Sequence, residues 1–139
     1  SSSDGQKLVL TSPFFQTRKI HIKEKINRLK KSLETKNFTE FGQLIEQEAL
    51  ELHAIMLTSI PALIYWQPET IKLMKLVKNW RNEGLEVYFT VNTGQDIHLI
   101  IEEKDTDELF KKLKGIKEVK EIIINRPANG ARLTEKHLF

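Results

Sequence analysis

The stretch EVYFTVNTGQDIHLIIEE, residues 86–103, predicts a β-hairpin that the rest of the chain must cover. In each half, apolar residues alternate with other side chains, which is the period-two pattern of a strand with one buried face. The polar turn NTGQD, residues 92–96, is short enough to join the two halves as antiparallel strands. The residues alone leave two interpretations of this turn open. It is either an ordinary hairpin tip, because Asn and Gly tolerate positive φ, or a functional site.

Helical periodicity predicts three helices before the hairpin and one after it. They cover residues 19–36, 37–56, 68–84 and about 105–114. Asn37 and Glu40 have the spacing of a capping box, and the same spacing recurs from Asp105. Pro68 stands at a first helical position, and Gly84 is typical of a helix end.

Two more strands are predicted outside the helices and the hairpin. Residues 6–11 (QKLVLT) and residues 119–125 (VKEIIIN) have the pattern of short strands. Ser12, followed by Pro13, predicts the start of a helix directly after the first of these strands. The order strand, three helices, hairpin, helix, strand predicts an α+β fold, with an antiparallel sheet and helices packed on one face.

The composition of the 139 residues suits one globular domain, with 40% hydrophobic and 29% charged residues. No apolar run approaches the ~20 residues of a membrane span, so no membrane partner is expected. The chain has no cysteine, which excludes thiol catalysis and is compatible with a reducing, cytoplasmic location. The 22 basic and 19 acidic residues are interspersed, a pattern that disfavours nucleic-acid binding despite the net charge of +3.

Few residue patterns in the chain point to catalysis by themselves. The four histidines lack the spacing of a metal site, and His53 fits a packed or a surface position on a helix. The six glycines form no phosphate-binding loop, so we do not expect this chain alone to bind a nucleotide. Because the histidines lack metal-site spacing, we do not expect it to bind a metal either. The segment SSSDG, residues 1–5, is either a frayed terminus or a set of hydroxyls that donate to phosphate oxygens.

Six short motifs occur in a fixed order over most of the chain. They are SSSDG at residues 1–5, TSPFF at 11–15, NF with Phe41 at 37–41, LHA at 52–54, IPALIY with PE at 60–69, and YFTVNTG at 88–94. In this order they resemble the SSTxG, TSPLL, KDF…F, M/F-H-A, P-P-x-x-Y…PES and Y-F/T-F/T-x-D-A-G-P-N segments of diphosphomevalonate decarboxylases, which are members of the GHMP kinase superfamily. The chain is similar to the C-terminal half of these enzymes.

This resemblance implies a two-domain enzyme that holds ATP and substrate between its halves. Residues 1–125 are then expected to form the substrate-binding C-terminal domain, and residues 126–139 a C-terminal tail. ATP and Mg²⁺ are expected to need an N-terminal half that is absent from this chain, so the chain alone is expected to be inactive. The implied substrate is mevalonate 5-diphosphate or a related mevalonate phosphate, and a homodimer is compatible with the family fold.

The resemblance also implies roles for four residues. In the family reaction the tertiary 3-hydroxyl is phosphorylated, and phosphate then leaves with CO2 to give isopentenyl diphosphate. Asn92 stands where the family has an aspartate that accepts the hydroxyl proton. Ser2 matches the family serine that binds the substrate's diphosphate, and Thr93 and Gly94 shape the turn beside the reacting carbon. An amide can orient a hydroxyl by hydrogen bonding, but it has no useful basicity at neutral pH.

Three explanations of Asn92 stay open. It is native to a branch with altered chemistry, it is an engineered inactivation, or the carboxylate of Asp96 replaces the missing aspartate. The leading hypothesis is the C-terminal domain of a decarboxylase, and the alternative is a mevalonate or mevalonate-phosphate kinase that has lost decarboxylation. A third hypothesis is a non-enzymatic RNA- or protein-binding α+β module, although EVYFTV lacks the sequence core of an RNA-recognition motif.

Overall fold

The computed structural model of the chain describes residues 6–94 and 96–130. The regular elements are α1 (Phe15–Glu34), α2 (Phe38–Leu57), α3 (Pro68–Asn82), β1 (Val87–Val91), β2 (Ile97–Ile101) and α4 (Thr106–Lys114), with short 3-10 turns at Val9–Thr11 and Glu103–Asp105. None of the helices in this part of the chain is both long and apolar enough to cross a membrane.

The predicted hairpin is confirmed. Strands β1 and β2 pair antiparallel, with Val87 opposite Ile101, Phe89 opposite Leu99, and Val91 opposite Ile97. This register places the turn of residues 92–96 at the tip of the hairpin. The hairpin together with four helices confirms the α+β fold class.

The four predicted helices are present, and most of their end signals act as expected. The Asn37 side chain accepts a hydrogen bond from the Glu40 N–H at 3.1 Å, which caps the start of α2. Pro68 is the first residue of α3, and Gly84 follows the helix with a φ of 103°, a conformation that glycine adopts without strain. The predicted cap at Asp105 is wrong, because its side chain makes no capping hydrogen bond to α4.

The two outer strands are not formed, and these two predictions are wrong. Residues 6–8 are helical and lead into the 3-10 turn Val9–Thr11, where the Thr11 hydroxyl donates to the Leu8 carbonyl at 2.6 Å. Such a local bond competes with strand pairing. Residues 119–125 are irregular: Val119 and Ile122, three residues apart, pack against the core, whereas Ile123 is 72% exposed. A spacing of three does not give a strand one buried face.

The start of α1 differs from its prediction by a few residues. The helix begins at Phe15 rather than directly after Ser12, and the residue before it, Phe14, has a helical backbone. Ser12 still acts at this end, because its hydroxyl oxygen accepts a hydrogen bond from the Phe14 N–H at 3.2 Å. The hydroxyls of Ser12 and Thr58 also lie 2.7 Å apart, which ties the entry of α1 to the end of α2.

Strand β1 is the most deeply buried element of the described chain. Apolar side chains from α3, β1, α4 and the connection between α3 and β1 form one cluster, which contains Met74, Val77, Trp80, Leu85, Val87, Phe89, Val91, Leu109 and Leu113. Tyr88, which is 1% exposed, projects from β1 toward Gly42 and Phe38 of α2. Helix α1 packs against α2. The hairpin is therefore held mainly through β1, since every residue of β2 is at least partly exposed.

Candidate functional site

The turn that contains the predicted site residues lies at the exposed tip of the hairpin. Asn92 directly follows β1 and is exposed, Thr93 is half-buried, and Gly94 is exposed. Asp96 is exposed and directly precedes β2, as expected from the sequence. Ser2, the fourth predicted site residue, lies outside the described residues. The structure therefore places three of the four residues at one accessible tip.

Gly94 is not explained by the backbone geometry of the turn. Its φ lies outside the left-handed region that favours glycine, and a Cβ placed on this residue would have the Asp96 nitrogen, at 3.9 Å, as its nearest neighbour. The tip is therefore not an ordinary turn in which Gly94 supplies a positive φ. The absence of a side chain leaves room at Gly94, and such room allows a ligand to approach the backbone.

His53 connects the tip of the hairpin to helix α2. Its Nε2 lies 2.9 Å from the Asn92 carbonyl oxygen, and the side chain is buried, with 2% of its surface exposed. A carbonyl oxygen can only accept, so Nε2 carries the proton and donates. The sequence suggested a packed or a surface helix position for His53, and the packed one is correct. The contact with a residue 39 positions away had no signal in the sequence.

Two aromatic rings hold the imidazole of His53 in place. Trp66 lies against it with ring centroids 4.7 Å apart and planes 34° apart, and Tyr65 meets it edge-on at 6.2 Å. Burial lowers the pKa of His53 below its ordinary value of 6.5, although the hydrogen bonds to the Asn92 and Val91 backbone act in the opposite direction. At neutral pH His53 is therefore uncharged and acts as a fixed hydrogen-bond donor.

The other end of the hairpin is held by a partly buried ion pair. The Arg81 guanidinium of α3 donates to both carboxylate oxygens of Glu46 on α2, at 3.2 and 2.9 Å, and to the Val87 carbonyl at 2.7 Å. It also lies over the Tyr88 ring, 4.6 Å from the centroid. This bidentate contact fixes the first residues of β1 between α2 and α3. Sequence analysis missed Arg81 and Glu46, because 35 positions separate them and no motif links them.

Gly42 allows α2 to approach β1 closely. A Cβ at this position would lie 2.0 Å from Cδ2 of the Tyr88 ring, far inside any tolerated contact. The glycine is therefore required by the packing of Tyr88 against the helix. It was also missed in the sequence, where a lone glycine inside a helical pattern only lowers helix propensity.

Clustered metal-ligating side chains are not found in the part of the chain that the structure describes. No group of three or more His, Asp and Glu side chains within residues 6–94 and 96–130 is arranged to hold a metal ion. The sequence has no glycine-rich phosphate loop either. At the tip, Asn92 and Gly94 are exposed and therefore accessible to a ligand, whereas Thr93 is half-buried.

Comparison with known sequences identifies relatives of most of the chain. Residues 1–135 match the family described as the mevalonate 5-diphosphate decarboxylase C-terminal domain. The phosphomevalonate decarboxylase of Haloferax volcanii is 32% identical over 99 residues, which are 70% of this chain and 31% of that protein. The diphosphomevalonate decarboxylase of Candida albicans is 24% identical over 114 residues, 81% of this chain and 32% of that protein.

Solved structures share the fold. The mevalonate diphosphate decarboxylase from Enterococcus faecalis, in a structure that concerns mevalonate diphosphate mediated ATP binding, is 29% identical, with a TM-score of 0.81 over 85% of this chain and 37% of that chain. A structure described as "MDDEF in complex with MVAPP, AMPPCP and Magnesium" is 30% identical, with a TM-score of 0.80 over 83% of this chain and 36% of that one.

The extent of these matches settles the family and limits what else they show. The chain spans about a third of the length of the curated relatives it matches. The family match covers almost all of the 139 residues, and it confirms the resemblance found in the six sequence motifs. This chain belongs to the mevalonate 5-diphosphate decarboxylase C-terminal domain family.

Proposed function

We propose that this chain is the substrate-binding C-terminal domain of an ATP-dependent decarboxylase that makes isopentenyl diphosphate, or its monophosphate counterpart, from a mevalonate phosphate. The observation that carries the proposal is the family match over residues 1–135. Relatives that act on the phosphate and on the diphosphate both align with the chain, so both substrates are candidates. The lack of cysteine is compatible with a reducing cytoplasm as its location.

In this proposal the substrate's reacting end lies at the tip of the hairpin. The Asn92 amide orients the tertiary hydroxyl by hydrogen bonding, and Thr93 and Gly94 border the reacting carbon. The open space at Gly94 supports a close approach of the substrate to the backbone. Ser2 is proposed to bind the phosphate groups. ATP and Mg²⁺ supply the phosphoryl group and neutralise its charge, and they are bound by another part of the enzyme.

The test compares this chain with a longer protein that also contains the ATP-binding half. Each is incubated with ATP, Mg²⁺ and either mevalonate 5-phosphate or mevalonate 5-diphosphate, and phosphate and CO2 are measured. We expect the longer protein to release both from one of the two substrates, and the 139-residue chain to release neither. Turnover by the 139-residue chain, or no turnover of either substrate by the longer protein, contradicts the proposal.

Asn92 favours a second candidate, a mevalonate-phosphate kinase that no longer decarboxylates. A general base contributes about 10²- to 10⁴-fold to a proton transfer, and an amide cannot supply it. The ratio of ADP to CO2 separates the two functions in the longer protein. A decarboxylase forms them in equal amounts, whereas a kinase forms ADP and a stable phosphorylated product without CO2.

A further inference from the structure

We infer that His53 is a positioning residue for the Asn92 turn: through its hydrogen bond to the Asn92 carbonyl, it sets the direction in which the Asn92 side chain meets the substrate. The inference rests on the proposed function for its catalytic consequence. The structural part, that His53 orders the tip of the hairpin, can be tested without any activity.

The hydrogen bond acts at the point where the strand pairing ends. The register closes with the pair Val91 and Ile97, so the ladder does not hold the residues between them. The bond from Nε2 to the Asn92 carbonyl, 2.9 Å long, fixes the peptide plane between Asn92 and Thr93. The orientation of that plane determines where the Asn92 side chain and the Thr93 N–H point.

His53 is itself held rigidly enough to do this. It belongs to α2, the helix that packs most closely on β1, and its side chain is almost fully buried. Trp66 and Tyr65 contact two sides of its ring and restrict its rotation. Trp66 lies just before α3, which begins at Pro68. Helix α2 and the connection that leads into α3 thus both contribute to the position of one hydrogen-bond donor, which is how a site is preorganised.

The first experiment measures the tautomer of His53 by ¹⁵N NMR in the wild-type 139-residue chain. The inference requires the proton on Nε2, because the carbonyl oxygen of Asn92 can only accept. A proton on Nδ1 with a bare Nε2 overturns the inference. This measurement needs no substitution and therefore does not depend on whether a variant folds.

The second experiment compares two variants of His53 by backbone ¹⁵N relaxation. His53→Phe keeps a ring between Trp66 and Tyr65 but removes the donor, and His53→Gln restores a donor at a similar reach. We expect order parameters at Asn92, Thr93 and Gly94 to fall from about 0.85 to below about 0.6 in the Phe variant and to recover in the Gln variant. His98→Gln, an exposed histidine on β2, is the control and leaves them unchanged. An ordered turn in the Phe variant overturns the inference.

The third experiment measures kinetics of the same variants in the longer, ATP-binding protein. A misplacement of about 1 Å costs on the order of 10²-fold in rate, so we expect His53→Phe to lower kcat about 100-fold with KM changed less than about threefold, and His53→Gln to restore most of kcat. Unchanged kcat in the Phe variant overturns the catalytic consequence. A wild-type protein that turns over no mevalonate phosphate contradicts the proposed function instead, and the NMR results then decide the role of His53.

Discussion

The two ends of the hairpin are held in different ways. At the open end, where β1 begins and β2 ends, Tyr88 packs on Gly42 without room for a methyl group. There Arg81 also forms a bidentate ion pair with Glu46 and donates a hydrogen bond to the Val87 carbonyl. At the exposed tip, the His53 side chain of α2 donates a hydrogen bond to the backbone carbonyl of Asn92 and so connects the turn to this helix. The open end is fixed by dense packing and an ion pair, whereas at the tip a directed hydrogen bond from a helix side chain reaches the turn.

This difference separates stability from function within one hairpin. Dense packing at the open end holds β1 against the helices, so substitutions there are expected to destabilise the chain. The tip leaves its side chains and its open space accessible, as a substrate site requires. Substitutions at the tip are therefore expected to alter chemistry with little effect on stability.

The largest expected effect on stability is that of Gly42→Ala. The new Cβ would lie 2.0 Å from the Tyr88 ring, and both Gly42 and Tyr88 are buried. Overpacking of this kind costs about 3 kcal/mol, only partly offset by the better helix propensity of Ala. Urea denaturation of the 139-residue chain measures it. A variant as stable as the wild type shows that α2 and β1 are not in the close contact described.

Arg81→Met is expected to cost somewhat less, about 2 kcal/mol. Removing one partner of a buried ion pair costs about 3–5 kcal/mol, and the partial exposure of Arg81, 26% against 9% for Glu46, reduces this. The matched control is Lys72→Met, which breaks the exposed pair with Glu118 and is expected to cost less than about 0.5 kcal/mol. Equal losses in the two variants contradict a special role for the open end.

The pH dependence of stability tests the environment of His53 at the tip. Burial lowers its pKa in the folded chain, while the unfolded chain binds the proton near the ordinary value of 6.5. The stabilising contribution is therefore complete above pH 6.5 and is lost as the pH falls from 6.5 toward the folded pKa, by at most about 1.4 kcal/mol per pH unit. His53→Gln removes this loss, as urea titrations between pH 5 and 8 would show. If the stability of the wild type and of the His53→Gln variant changes equally with pH, the lowered pKa of His53 is excluded as the cause.

Gly94→Ala is expected to have the smallest effect on stability, within about 0.5 kcal/mol. The added methyl group meets open space and the backbone is not left-handed. In the longer, ATP-binding protein the same methyl group would occupy the space assigned to the substrate, and we expect kcat/KM to fall at least about tenfold. A variant that is destabilised, or one that is both stable and fully active, contradicts the contrast between the two ends.

Local signals in the sequence were enough for most of the fold. The alternation in residues 86–103, the cap at Asn37, the helix start at Pro68 and the helix end at Gly84 act within a few residues, and each is confirmed. The wrong strands at residues 6–11 and 119–125 are short apolar segments, whose state depends on what they pack against.

The site was predicted only in part. Motif resemblance singled out the turn, which lies at an exposed hairpin tip, and the functional roles of its residues stay predictions. The contact between His53 and Asn92 and the pair of Arg81 and Glu46 join residues more than 30 positions apart. No local pattern encodes such contacts, because they arise only when α2, α3 and β1 are packed together.

The most direct test of the central claim, that Asn92 faces the reacting hydroxyl, is the rate of CO2 release by the longer protein with Asn92→Asp. A carboxylate at this position can accept the hydroxyl proton, so we expect the rate to rise at least about 100-fold. Asp96→Asn is the control for a carboxylate elsewhere in the turn, and it should leave the rate unchanged. An unchanged or lower rate with Asn92→Asp would show that residue 92 does not contact the reacting group.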